Sequence, residues 1–126
     1  MPHPLEHHAD RALSGHEAEE LAEAMRAFGT ASRLRLLWEM LEGERTVDEL
    51  ASAAGVSPSA ASHQLRLLRH GRLVAVRRAG RNAFYRLHDE HVGDLLRAVR
   101  HHHEHVHPPT TVALPRRRSG SAVRAS

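Results

Sequence analysis

Apolar residues recur at three- and four-residue intervals through most of the chain, and the first half divides into four such segments. Residues 16–29 (HEAEELAEAMRAFG) place Leu21, Met25 and Phe28 on one helical face and stop at Gly29. Residues 30–43 repeat the scheme with Thr30 as N-cap and Gly43 as stop. Both predict scaffold helices. Residues 46–55 open with Thr46 and Glu49 in capping-box register and close on Gly55; Ser57 and Pro58 then supply an N-cap and a first-turn proline for residues 57–71. Leu65 and Leu68 form the inner face of that fourth segment, and two short helices joined by a tight glycine turn predict a helix-turn-helix. The period then drops to two. LVAVRR (73–78) and NAFYRL (82–87) flank AGR (79–81), which predicts a hairpin, and helical amphipathicity returns over 88–107 with Val92, Leu95, Leu96, Val99 and Val106. The expected fold is α+β and mostly helical: a winged helix-turn-helix with an added C-terminal helix.

At 126 residues the chain suits one small domain whose core is marginal unless a partner subunit adds to it. The expected organisation is a flexible histidine-containing arm (1–15), the winged-helix domain (16–107) and a disordered, arginine-containing tail (108–126) rich in proline and small polar residues. The chain lacks any run of about 18 apolar residues and any apolar core in its first ten, so membrane association is not expected and the cytoplasm is. With no cysteine, disulfides and thiolate metal sites are excluded, and any metal must take nitrogen and oxygen ligands.

Charge changes the picture more than composition does. All 18 basic residues are arginine; residues 1–56 carry 11 acids and 5 arginines, whereas 57–88 carry 7 arginines and no acid. A basic block inside an acidic domain reads as an electrostatic footprint for nucleic acid. Within it Ser59, Ser62, His63, Gln64 and Arg66 are groups suited to phosphates and base edges, and Arg77, Arg78 and Arg81 fall on or near the wing.

The run from SRLRLL (32–37) through DELA (48–51), SPSAASHQLRLL (57–68) and R-x-G-R-x-x-x-Y-x-L (78–87) to the final helix resembles the ArsR/SmtB metal-responsive repressors, over roughly residues 17–107. The resemblance implies a homodimer that binds operator DNA as apoprotein and releases it when metal binds. One departure is visible: Gly71 precedes Arg72, where many members carry the glycine immediately before the Leu-Val pair.

Residues 88–107 hold 7 of the 13 histidines. At about 100° per residue, His91, His102 and His105 fall within about 60° of one another beside the apolar seam. Yet His91 and His102 are separated by about 16 Å at ~1.5 Å per residue, too far for one ion needing nitrogens at about 2.1 Å. An antiparallel second copy removes the difficulty: a two-fold axis sets Asp89 and His91 of one subunit beside His102 and His105 of the other, giving two equivalent sites. The family's last-helix motif, as the resemblance implies it, matches these four positions. His101 and His103 point away from the stripe.

One carboxylate and three imidazoles satisfy tetrahedral zinc, whereas nickel and cobalt commonly take six N/O donors. Further donors are available in His107, just past the stripe, and in His3 and the Pro2 amine of the arm. The whole pattern is similar to the nickel- and cobalt-sensing members of the family, so Ni(II) or Co(II) is the favoured effector and Zn(II) the alternative. A histidine-rich metal storage or delivery protein is the reading from another class, which leaves the basic helix and wing without a purpose. No open metal position with a general base in a pocket is evident, so an enzyme is not expected.

Overall fold

The computed structural model describes residues 11–109. The element order is α1 (Gly15–Arg26), α2 (Ala31–Glu39), β1 (Arg45–Thr46), α3 (Val47–Ala54), α4 (Pro58–His70), β2 (Val74–Ala79), β3 (Asn82–Leu87) and α5 (Glu90–Val106). The chain forms two compact units divided between Val92 and Gly93. The expected His3 and Pro2 donors and most of the arginine-containing tail lie outside the described residues.

Each helix begins where the sequence supplies a side-chain acceptor. Ser14, Thr30, Thr46 and Ser57 each accept from the backbone N–H three residues on, and Glu49 returns a bond to the Thr46 N–H at 2.9 Å to complete the capping box. Helices α1 and α2 end three or four residues before the expected glycines. Their last turns tighten, with Ala27, Phe28 and Gly29 donating to carbonyls three residues back, as Met40, Leu41 and Gly43 also do. The Arg33 guanidinium donates to the Arg26 and Ala27 carbonyls, which adds a side-chain cap to the end of α1.

In the first unit, α3 packs on α2 and α4, and α4 packs on β2. The core consists of Leu36 and Leu37 from α2, Leu50 from α3, Ala61, Leu65 and Leu68 from α4, and Val74 from β2, all essentially inaccessible. Each of the larger side chains contributes about 1.5–3 kcal/mol by leaving water. The sheet is antiparallel with strand order β1-β3-β2. Its third strand, β1, is not announced by the pattern, since two residues cannot show alternation; Arg45 and Thr46 pair with Tyr85 and Phe84. The expected three-residue hairpin turn is a two-residue loop, because Ala79 and Asn82 still pair and Gly80 supplies the positive φ of 62°.

Helix α1, expected as scaffold, buries none of its residues, and Leu21 and Met25 lie open. On α5 the apolar seam divides. Val92 and Leu96 are buried, while Leu95, Val99 and Val106 are 45%, 59% and 51% exposed. Exposed leucine, methionine and valine at helical spacing on two helices amount to more than isolated surface apolar residues.

Candidate DNA and metal sites

The turn between α3 and α4 is built by a Schellman closure: Gly55 adopts the left-handed conformation (φ 71°), its N–H bonds to Ser52 O and that of Val56 to Ala51 O. Ser57 then restarts the chain as the α4 N-cap, so the direction of α4 is set by two local devices. With Ala61, Leu65 and Leu68 inward, Ser59, His63 and Arg66 lie on the opposite, exposed face at i, i+4 and i+7. His70, at i+11, extends this stripe; the same periodicity applied one turn further would have found it. Ser62 is half-buried at the border.

Gln64 sits differently from Ser59, His63 and Arg66. It is half-buried, and its Oε1 accepts a 3.0 Å hydrogen bond from the Ser32 hydroxyl of α2. That bond fixes Gln64 against the scaffold, so its carbonyl end is committed away from the outward stripe.

The C-terminus of α4 repeats the Schellman closure with a different residue. Gly71 is the cap, Arg72 N–H bonds to Arg69 O and Leu73 N–H to Leu68 O, and the left-handed conformation falls on Arg72 at φ 61°. Helix α4 therefore ends at His70, and the family departure at positions 71 and 72 puts an arginine where glycine is the unstrained choice.

On the wing, Arg78 and Arg81 are exposed. Arg77 is engaged within the chain: its guanidinium forks onto the Glu44 carboxylate, with Nη2 to Oε1 at 2.8 Å and Nε to Oε2 at 3.1 Å, and lies 4.8 Å from the Phe84 ring centroid. The hydrogen bond from Arg77 holds the Glu44 carboxyl below its ordinary range, and the same bond raises the guanidinium. Arg77 thus braces the wing against the segment that leads into β1. Arg77 is exposed like Arg78 and Arg81, but unlike them its guanidinium already has a carboxylate partner within the chain.

Asp89 is the side chain that starts α5. Its Oδ1 accepts from the Val92 N–H at 3.2 Å, the N-cap geometry, while Oδ2 lies 3.4 Å from His88 Nδ1. His91 Nδ1 is 3.6 Å from Oδ1. Partial desolvation pushes the Asp89 carboxyl up, but hydrogen bonds from His88 and the Val92 N–H, with the charge of His91, hold it below the ordinary range. An ionised carboxylate and an imidazole therefore meet at the first turn, and the cap itself was readable from Asp89 standing just before the amphipathic run.

His102 and His105 are exposed near the other end of the helix. His107 is held by its N–H to His103 O at 2.8 Å, and its ring pairs with that of His103 at 4.7 Å between centroids. Helical rotation puts this pair more than about 90° from the mean direction of His91, His102 and His105. Among the described residues of one protomer, no three His, Asp or Glu side chains converge where they could hold one metal ion. Also among these residues, no helix is long and apolar enough to cross a membrane.

The family model "Bacterial regulatory protein, arsR family" matches residues 30–76, from the α2 N-cap into β2. The chain is 43% identical over 95 residues to the HTH-type transcriptional regulator NmtR of Mycobacterium tuberculosis, covering 75% of this chain and 79% of that one. The solution structure of apo-NmtR superimposes with a TM-score of 0.66 at 40% identity, over 83% of this chain and 88% of the other. A homodimeric winged helix-turn-helix DNA-binding domain from Mycobacterium bovis, Mb0332, described as a possible ArsR-family transcriptional regulator, gives a TM-score of 0.66 at 32% identity, covering 75% and 92%. Together with the helix-turn-helix and the braced wing, these similarities establish that the chain belongs to the arsR family of bacterial regulatory proteins, winged-helix transcriptional regulators rather than enzymes.

Proposed function

We propose that this regulator is a metal-relieved repressor: a cytoplasmic homodimer that binds operator DNA as apoprotein and lets go when Ni(II) or Co(II) enters two equivalent sites between the last helices. The observation that carries this reading is the layout of α5. Asp89 and His91 stand at its start and His102 and His105 near its end, beside Leu95, Val99 and Val106, which one protomer leaves uncovered. A two-fold-related copy covers those side chains and brings the two ends together in one step.

The donor set fits a borderline divalent cation, which would supply a fixed cross-link between protomers. Asp89 can serve without surrendering its cap, because a carboxylate offers more than one acceptor position. Asp89 and His91 hold their places through the first turn of α5, and His102 and His105 through the last turns. The two protomers are then tied in one relative pose, and the spacing of the two α4 helices is tied with them. A pose that mismatches the half-sites by about 1–3 kcal/mol suffices for release. Ser59, His63 and Arg66 with Ser62 at the border are the proposed contacts of α4, and Arg78 and Arg81 those of the wing.

Zinc is the second reading, and one observation favours it: His107 is paired with His103, so Asp89, His91, His102 and His105 stand as a tetrahedral set unless the arm contributes His3 or the Pro2 amine. Operator binding with apoprotein and with each of Ni(II), Co(II) and Zn(II), read by fluorescence anisotropy, tests the proposal. Tight apo binding weakened at least tenfold by one of these ions is expected. Apoprotein that binds operator no better than random DNA, or binding that no ion changes, refutes it. The histidine-rich storage alternative predicts metal uptake with no operator affinity.

A further inference from the structure

We infer that His103 and His107 form a second, separate metal site on each protomer, a two-imidazole chelate for a borderline divalent cation at the C-terminal end of α5. The two rings lie four residues apart on an exposed face, and the backbone bond from His107 N–H to His103 O keeps the helical spacing through both. Two imidazole nitrogens at about 2.1 Å from one ion, in rings of about 1.2 Å radius, put the ring centroids roughly 4.7–5.3 Å apart for bond angles between about 90° and 109°. The observed separation is 4.7 Å, with the rings tilted by 38°. The ring spacing therefore matches a shared ion, with ring rotation left to aim one nitrogen of each ring at it.

The location suits a cation for a second reason. The negative end of the α5 helix dipole lies there. Imidazole donors select Cu(II), Ni(II) and Zn(II) over the hard cations, and two protein ligands leave the remaining positions to water, so the site is weaker and faster to exchange than a four-ligand one. Its occupation cross-links the last turn, the same turn that bears His105.

The test is a competition titration of the full chain with Zn(II), and separately with Cu(II), in an indicator of moderate affinity. Wild type should take two equivalents per protomer, the second at least tenfold more weakly than the first. His103→Ala and His107→Ala should each remove the second equivalent and leave the first within threefold, whereas His91→Ala should remove the first and keep the second. His103→Gln repeats the test where alanine perturbs the helix end, and circular dichroism checks that helix content is kept. A second equivalent that survives both substitutions overturns the inference, as does a single equivalent in wild type. So does a His107→Ala that weakens the first equivalent while His103→Ala does not, because His107 then belongs to the interfacial set. Loss of the first equivalent's link to DNA release leaves this inference standing, so the two proposals fail separately.

Discussion

Arg72 is the only non-glycine with positive φ among the described residues, and it occupies the position of a Schellman closure that Gly55 fills at the end of α3. The left-handed conformation costs a residue with a Cβ about 1–2 kcal/mol. Replacing it with glycine recovers that cost but restores about 0.4–1 kcal/mol of conformational freedom to the unfolded chain. The net gain expected for Arg72→Gly over Arg72→Ala is about 0.5–1 kcal/mol, or roughly 2–5 °C in Tm for a domain of this size. The comparison with alanine is the informative one, since both variants lose the same charge and only one relieves the backbone. Urea and thermal unfolding at one protein concentration, in chelator, measure it, and an unchanged m-value shows that the unfolded state is comparable. Gly55→Ala is the mirror experiment: a Cβ there would stand 3.5 Å from Arg35 Nη1, an ordinary contact, so the loss is the backbone term alone. Arg72→Gly no more stable than Arg72→Ala would refute the assignment of strain to this position.

Four further outcomes follow from the contacts. Arg78→Ala and Arg81→Ala should each lower the slope of log K against log salt by about 0.9 if the residue neutralises one phosphate, whereas Arg77→Ala should change the slope less while loosening the wing, seen as faster amide exchange in β2. Because the folded-state pKa of Glu44 is depressed, its contribution is present above its unfolded pKa and fades as pH falls through the folded value; Glu44→Gln should flatten that part of the stability–pH profile. Asp89→Asn retains an acceptor for the Val92 N–H and should keep the start of α5 yet lose metal response, while Asp89→Ala should also lower the urea midpoint. If the arm completes a six-coordinate shell, deleting residues 2–8 should convert weak Co(II) visible bands into intense tetrahedral ones; intense bands already present in the full chain favour zinc.

Local chemistry was legible in the sequence. Thr30, Thr46, Ser57 and Gly55 mark helix ends through bonds to residues within a few positions, so their neighbours alone determine them. The inner face of α4 was likewise readable, because Leu65 and Leu68 obey a period that only burial enforces. What escaped depends on contacts distant in sequence. Arg77 donates to Glu44 33 residues away and Gln64 accepts from Ser32 32 residues away, and nothing in either neighbourhood announces the partner. Strand β1 exists because β3 offers an edge, and Thr46 serves both as its last residue and as the α3 N-cap. The seam on α5 looked single in sequence, whereas its apolar positions divide into buried Val92 and Leu96 and open Leu95, Val99 and Val106.

In the proposed dimer, ligands from two protomers build each sensing site. Purified, doubly tagged mixed dimers pairing a His91→Ala protomer with a His102→Ala protomer separate this arrangement from ligation within one chain. Each homodimer should lose tight metal binding. In the mixed dimer one interface keeps Asp89 and His91 from the His102→Ala protomer with His102 and His105 from the His91→Ala protomer, while the other lacks both histidines. One tight metal ion per dimer, bound with wild-type affinity, is the predicted result; a mixed dimer as defective as its parents contradicts ligation across the interface.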